Sequence, residues 1–163
     1  MDELRKEILR NLETNSRINI AELAVLLDVE KAAVANEVAR MEREKIICGY
    51  HTLIDWEKAG EELVNALIEV RVTPQRERGF DKTAARICNY PEVSAVYLIS
   101  GNYDLLVTIE GKTLGSVSKF VSEKLASIDE VVNTETYFIL KKYKDHGSVM
   151  FQKERSERIP VMP

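Results

Sequence analysis

The chain of 163 residues has few or none of the residues and motifs that are typical of several protein classes. Its two cysteines, Cys48 and Cys88, form no C-x-x-C pair, so neither a disulfide framework nor a four-ligand zinc site is expected. With two histidines and no glycine-rich phosphate loop, it is predicted to have no catalytic residues, metal or cofactor. No apolar run is nearly as long as the roughly 20 residues that a membrane span needs. The N-terminus lacks the apolar region of a signal peptide. These absences predict a cytoplasmic protein without a membrane partner.

The chain also lacks an excess of positive charge. Its 23 Lys and Arg stand against 27 Asp and Glu, for a net charge of −4. Residues 1–56 carry eight basic and eleven acidic side chains, whereas residues 141–158 carry six and three. General attraction to nucleic acid is therefore not predicted, and any DNA contact must depend on where a few basic side chains point.

Residues 1–55 have the pattern of a winged helix-turn-helix domain. Apolar spacing predicts three helices, the first capped by Asp2 and the second by Asn19, with Glu22 completing a capping box. A tight turn at Asp28-Val29-Glu30 joins the second helix to the third, and Ile46–Ile54 predicts a two-stranded wing. The predicted helices span residues 2–14, 20–27 and 31–45.

Residues 63–145 predict a ferredoxin-like βαββαβ domain, which makes the fold class α+β. The predicted strands and helices span residues 64–72, 80–90, 93–100, 103–110, 114–128 and 131–140. Residues 56–62 are predicted to be a linker, and 146–163 a C-terminal tail without a periodic signal. Apolar residues such as Leu67 and Leu106 are expected on both sheet faces, which predicts dimerisation through the sheet, with cover by the tail as the alternative.

The third helix supplies the candidate DNA-contact surface. If Val34, Val38 and Met41 point inward, the outward side chains are short or basic, and such a helix can enter the major groove. Asn36 suits adenine, and the arginines suit phosphates. The predicted DNA-binding residues are Arg17, Lys31, Ala32, Ala35, Asn36, Ala39, Arg40 and Arg43. We expect weak, A/T-leaning and salt-dependent binding to double-stranded DNA, strengthened in dimers or larger rings; an ordinary solvated helix face is the alternative.

The segment Ser100-Gly101-Asn102-Tyr103-Asp104 separates two predicted strands. Glycine permits close approach of a ligand, the Asp104 carboxylate suits an ammonium group, and backbone amides freed by the turn suit a carboxylate. Those groups are the two ends of an amino acid. The predicted effector-binding residues are Gly101, Asn102, Tyr103, Asp104, Thr134 and Thr136, the threonines acting if a neighbouring subunit brings them near. A turn that merely caps the hairpin is the alternative.

Four segments together resemble the Lrp/AsnC family, the feast/famine transcription regulators. They are Ile18–Ala24, Val38–Tyr50, the S-G-x-x-D turn at 100–104 and T-E-T-Y at 134–137. The resemblance covers residues 1–145 in order, and it implies a transcription regulator whose amino-acid effector binds around the turn, between dimers. Assembly beyond the dimer, up to an octamer, stays open. Glu30 and Glu37 depart from the family's usual Ser and Arg and predict weaker DNA affinity.

Three alternatives to an effector-responsive regulator remain. One is an architectural DNA-binding protein that ignores metabolites. Another is an enzyme, because sirohaem decarboxylases resemble the same two-domain layout; they need basic and His residues to hold tetrapyrrole carboxylates, and this chain offers His51 and His146. The third is an amino-acid-binding module that has lost DNA binding, as Glu30 and Glu37 suggest.

Overall fold

The computed structural model describes residues 3–74 and 79–150, which divide into two compact units. One unit lies within residues 1–53 and the other within 54–163. The predicted cap Asp2 and the end of the tail from residue 151 lie outside the described residues. The α+β class and the succession of a helix-turn-helix unit and a ferredoxin-like unit are confirmed.

The first unit is a bundle of three helices around a small apolar core. Ile8, Leu23 and Met41 are fully buried where the helices meet. The capping box is present, since the Asn19 side chain accepts from the Glu22 amide at 2.9 Å. Asp28 takes the left-handed conformation (φ 53°) that reverses the chain before the third helix. The helices are α1 (Glu3–Thr14), α2 (Ile20–Leu26) and α3 (Lys31–Arg43).

The two strands predicted for the wing are not formed, because residues 46–54 contain no strand. Lys45 has a positive φ of 57°, and the helix ends at Arg43 rather than at Lys45. The amides of Ile46 and Ile47 then donate back to the Met41 carbonyl at 2.9 and 3.2 Å. These bonds turn the chain back at the end of α3 and use donors that a strand ladder would need.

The second unit consists of a four-stranded antiparallel sheet and two helices. The elements are β1 (Val64–Val72), α4 (Asp81–Cys88), β2 (Val93–Leu98), β3 (Leu105–Gly111), α5 (Leu114–Phe120) and β4 (Val131–Phe138). The strands lie in the order β2-β3-β1-β4, the order of a ferredoxin-like fold. The two helices cover one face, and Ile68, Val107 and Phe120 lie in the core between the layers.

Three local features differ from the predicted boundaries. The helix predicted over 114–128 is α-helical only to Phe120 and continues as a π-helical turn, Val121–Leu125, in which the Ala126 amide donates to the Val121 carbonyl at 2.8 Å. The segment between β2 and β3 is longer than predicted and spans residues 99–104. A small hairpin of β5 (Lys144–Asp145) and β6 (Ser148–Val149), too short to leave a periodic signal, spans the predicted boundary between domain and tail at residues 145 and 146.

Strand β1 shows which residues face the helices. Ile68 and Val70 are fully buried on the helix side, so Leu67, Glu69 and Arg71 lie on the opposite face, which we call the open face. Leu106 pairs with Glu69 and therefore lies on the open face too. This face mixes apolar and charged side chains, and Tyr97 and Tyr137 on the flanking strands are exposed there.

Candidate DNA interface and effector turn

The outward side of α3 presents a stripe of short and polar side chains. Ala32, Asn36, Ala39 and Arg43 are spaced by three or four residues and so share one face of the helix. That face is opposite the buried Val34, Val38 and Met41. Asn36 and Arg43 are exposed, as are Lys31 in the first turn and Arg17 just before α2, whereas Ala35 and Ala39 are half-buried. A helix with this profile can approach base edges closely.

Arg40 lies on the flank of α3 that faces α1, where it belongs to a group of four charged side chains. Its Nε donates to Glu44 Oε1 at 2.8 Å, and its Nη1 lies 3.9 Å from Glu37 Oε1. From α1, Arg5 donates to the other oxygens of the same two carboxylates, to Glu37 Oε2 at 2.6 Å and Glu44 Oε2 at 3.3 Å. We call Arg5, Glu37, Arg40 and Glu44 the charge ring.

Glu37 is paired within the charge ring, which bears on the prediction that it weakens DNA affinity. The hydrogen bond from Arg5 to Glu37 raises the pKa of the Arg5 guanidinium, and that from Arg40 lowers the pKa of Glu44, so both shifts favour the charged forms of Arg5 and Glu44. The Glu37 carboxylate is directed toward α1 rather than left free to repel a phosphate. Glu30 differs, because it stands exposed at the start of α3 and forms no side-chain cap.

At the turn between β2 and β3, Asp104 is tied into the backbone of the sheet. Its Oδ2 accepts from the Val72 amide at 2.8 Å, and its own amide donates to the Val70 carbonyl at 3.1 Å. The Asp104 carbonyl accepts from the Ile99 amide at 2.9 Å, which closes the turn. One carboxylate oxygen therefore has a structural role. Gly101 is exposed, and a Cβ there would meet nothing within 4 Å.

The same turn is held against the open face by Arg71 and Tyr103. Arg71 Nε donates to the Asn102 carbonyl at 3.2 Å, and its guanidinium lies 5.1 Å from the centroid of the Tyr103 ring. The Tyr103 hydroxyl donates to Glu135 Oε2 at 3.0 Å. Asn133 donates to the Tyr103 hydroxyl at 3.4 Å. This arrangement fixes the position of Asn102 and Tyr103 relative to β1 and β4.

Two carboxylates meet beside Tyr103. Glu69 and Glu135 are directly opposite each other on β1 and β4, and the Tyr137 hydroxyl donates to Glu69 Oε2 at 3.3 Å. The hydrogen bond with Glu135 foremost, together with burial and the proximity of both carboxylates, raises the pKa of Tyr137 to about 12. Glu135 likewise raises the pKa of Tyr103. We call these four residues the tyrosine–carboxylate cluster.

Thr134 and Thr136 do not share this surface. They pair with Val70 and Ile68, whose side chains point to the helices, so both threonines lie on the helix face of β4. The turn is instead brought together with Arg71, Asn133 and Glu135, which the sequence prediction did not include. The available signal was the alternation of polar residues along β1 and β4, which marks one sheet face.

Within residues 3–74 and 79–150, no group of three or more His, Cys, Asp or Glu side chains is placed to hold a metal ion. In the same part of the chain, no helix is long and apolar enough to cross a membrane.

Two family models match the chain. The model described as "Winged helix-turn-helix DNA-binding" matches residues 1–47, and the model "Lrp/AsnC ligand binding domain" matches residues 65–149. The chain belongs to the Lrp/AsnC family. It combines the DNA-binding and ligand-binding domains of an effector-responsive transcription regulator, as the sequence predicted.

Known Lrp/AsnC-type proteins resemble the chain over most of its length. The HTH-type transcriptional regulator YugG of Bacillus subtilis, itself uncharacterised, is 44% identical over 164 residues, covering 100% of this chain and 99% of the relative. The proline dehydrogenase transcriptional activator of Rhodobacter capsulatus is 28% identical, covering 91% and 96%. A Neisseria meningitidis transcriptional regulator solved with L-Met has a TM-score of 0.69 and 24% identity, covering 89% and 93%.

Proposed function

We propose that this Lrp/AsnC family member is a cytoplasmic regulator that binds double-stranded DNA through α3 and responds to an amino acid. The observation that supports DNA binding is the outward stripe of α3. In this stripe Asn36 lies between alanines, and Arg43 is the last residue. Asn36 would pair with adenine, and the alanine methyls would contact thymine methyl groups. Lys31, Arg17, Arg40 and Arg43 would contact phosphates.

The effector proposal concerns the turn from Gly101 to Asp104. Its geometry supports a preformed site, because Arg71 fixes the Asn102 carbonyl and the Val72 amide fixes Asp104. Open space around Gly101 would admit a ligand. The Lrp/AsnC ligand-binding model spans this turn, and the structurally similar Neisseria regulator was solved with L-Met. An amino acid is therefore the class of effector we propose. Thr134 and Thr136 would contribute only from a neighbouring subunit.

We propose further that the protein is a dimer formed through the open face of the sheet. Leu67 and Leu106 lie on that face, and Tyr97 and Tyr137 are 55% and 46% exposed. A second copy of the same face would bury these apolar groups, and self-association through one patch gives a closed dimer. Dimers would raise DNA affinity by presenting two α3 helices at once.

The proposal excludes enzymatic activity. A sirohaem-decarboxylase-like reaction would need basic and His side chains gathered at one site. His146 is 84% exposed beside Asp145 on the small hairpin, and His51 is an exposed residue of the other unit. The architectural alternative keeps the same DNA face and differs in lacking an effector response.

Fluorescence anisotropy tests the DNA part directly. The full chain is titrated onto a labelled duplex from upstream of its own gene over a salt series. We expect saturable binding that weakens steeply with salt and falls at least tenfold, about 1.4 kcal/mol, in Asn36→Ala/Arg40→Ala. The matched control is Val25→Ala on α2, an exposed position outside the stripe, which should bind as wild type does. No binding at low salt would contradict the proposal.

The effector part is tested by repeating the titration with pooled amino acids, L-Met first. We expect a shift in DNA affinity that Asp104→Asn reduces. Asparagine keeps an acceptor for the Val72 amide and removes only the charge, so a lost response would indicate ligand contact. A saturating response that is unchanged in Asp104→Asn would remove this carboxylate from the site. No response to any amino acid would favour the architectural alternative.

A further inference from the structure

Arg40 is held by carboxylates in the absence of DNA, although its position on α3 suits a phosphate contact. Its guanidinium nitrogens lie 2.8 Å from Glu44 Oε1 and 3.9 Å from Glu37 Oε1. A phosphate oxygen must therefore compete with Glu44 for the Nε donor and with both carboxylates for the position of the guanidinium charge. Since the side chain is 56% exposed, Arg40 is the member of the charge ring that can turn away to solvent or DNA.

Arg5 occupies the other side of the same two carboxylates. It donates to Glu37 Oε2 at 2.6 Å and to Glu44 Oε2 at 3.3 Å, and its side chain is only 13% exposed. Arg5 is thus the fixed cation of the ring and Arg40 the exchangeable one. When Arg40 leaves, Arg5 still bonds both Glu37 and Glu44, so neither carboxylate is left without a cation.

We propose that the charge ring sets DNA affinity: Glu44 and Glu37 compete with phosphate for Arg40, and Arg5 acts as the positioning residue that makes release of Arg40 possible. This inference rests on the proposed DNA-binding function and adds a regulation of the contact by residues that do not themselves touch DNA. It also explains how a helix that carries Glu37 can serve as a DNA-reading helix, because that carboxylate forms ion pairs within the unit.

Two substitutions shift the competition in opposite directions. Glu44→Gln removes the stronger competitor and frees Arg40, which should strengthen its phosphate contact and steepen the salt slope by up to about 0.9. Affinity at low salt should then rise several-fold, up to about tenfold. Arg5→Ala leaves two carboxylates around Arg40 and should weaken binding, and Arg5→Lys should restore part of the loss because it returns one positive charge.

Anisotropy on the same duplex between about 50 and 200 mM salt measures each variant. The matched control is Glu42→Gln, which removes an equal charge from the same helix but contacts the Tyr50 hydroxyl rather than an arginine. A second control is Arg40→Gln, alone and combined with Glu44→Gln. Circular dichroism melting confirms that every variant is folded, and Arg5→Lys stands in for Arg5→Ala if the latter is not.

The expected result is tighter binding and a steeper slope in Glu44→Gln, absent from Glu42→Gln and lost when Arg40 is also changed. Equal tightening in Glu42→Gln would overturn the proposal, since the effect would then be general charge. So would a gain that persists without Arg40, or no gain in Glu44→Gln while the wild type binds. Failure of wild type and every variant to bind would instead contradict the proposed function, and the inference with it.

Discussion

In the charge ring of the helical unit charged side chains bond one another, whereas in the tyrosine–carboxylate cluster of the sheet unit carboxylates bond neutral donors. The charge ring joins two guanidinium groups to two carboxylates, and its charges balance. In the tyrosine–carboxylate cluster, Glu69 and Glu135 accept from tyrosine hydroxyls, and nearby Asp104 accepts from a backbone amide. Both arrangements link segments that are far apart in the sequence.

This difference in bonding predicts which solution condition, salt or pH, weakens each group of contacts. Ion pairs on an exposed helix surface are weakened by dissolved salt and by other anions, including DNA phosphates. Hydrogen bonds from neutral hydroxyl or amide donors are far less sensitive to salt, but a tyrosine donor is lost when it ionises. The charge ring should therefore respond to salt, and the tyrosine–carboxylate cluster to high pH.

The largest expected effect is on the turn that carries the effector proposal. Asp104→Ala removes the acceptor of the half-buried Val72 amide and should lower the free energy of unfolding by about 1–3 kcal/mol. Asp104→Asn keeps an acceptor oxygen and should stay close to wild type. Urea unfolding followed by circular dichroism measures both. Equal loss of stability in the two variants would mean that the charge, and not the amide bond, holds the turn.

A salt titration should separate the two units next. Arg5→Ala should lower the melting temperature at low salt, because Glu37 and Glu44 lose their fixed cation. The gap from wild type should narrow near 1 M salt, where the Debye length is only about 3 Å. Arg10→Ala removes the same charge from an exposed position of α1 and serves as control. A gap that does not change with salt would show that Arg5 acts by packing alone.

The smallest effect is expected at alkaline pH. Because the pKa of Tyr137 is raised to about 12 from its ordinary 10.0, its protonated form stabilises the fold. That contribution is complete below pH 10 and is lost as pH rises through about 12. Ultraviolet absorbance titration of wild type minus Tyr137→Phe should show the late ionisation, and Glu135→Gln should move it toward 10.0. An unshifted Tyr137 in wild type would contradict the cluster as described.

The helices and the sheet could be predicted because their signals are local. Apolar spacing located α1, α2 and α3, and the capping box at Asn19 fixed the start of α2 to the residue. The order of strands and helices was sufficient for the ferredoxin-like topology. The lack of strands in residues 46–54 could not be predicted, because nothing in this segment indicates that the amides of Ile46 and Ile47 donate to the Met41 carbonyl.

The candidate sites were harder to predict, since their contacts cross long stretches of chain. The bonds from Arg5 to Glu37 and from the Val72 amide to Asp104 each join residues that are 32 positions apart. The sequence alone does not show that Arg5 on α1 bonds Glu37, and the prediction from sequence is therefore that Glu37 weakens DNA affinity. The register of β1 was needed to show that one Asp104 oxygen accepts from the Val72 amide. It was also needed to show that Thr134 and Thr136 lie on the helix face of the sheet.

The charge ring also constrains how this chain can change over evolutionary time. Each of its members contacts two others of opposite sign, so losing one leaves an unbalanced charge in a half-buried place. Replacing Arg5 by a neutral residue is tolerable only if Glu37 or Glu44 is neutral as well. Substitutions at these positions should therefore occur in pairs, and α1, which lies outside the DNA-reading stripe, should co-evolve with α3.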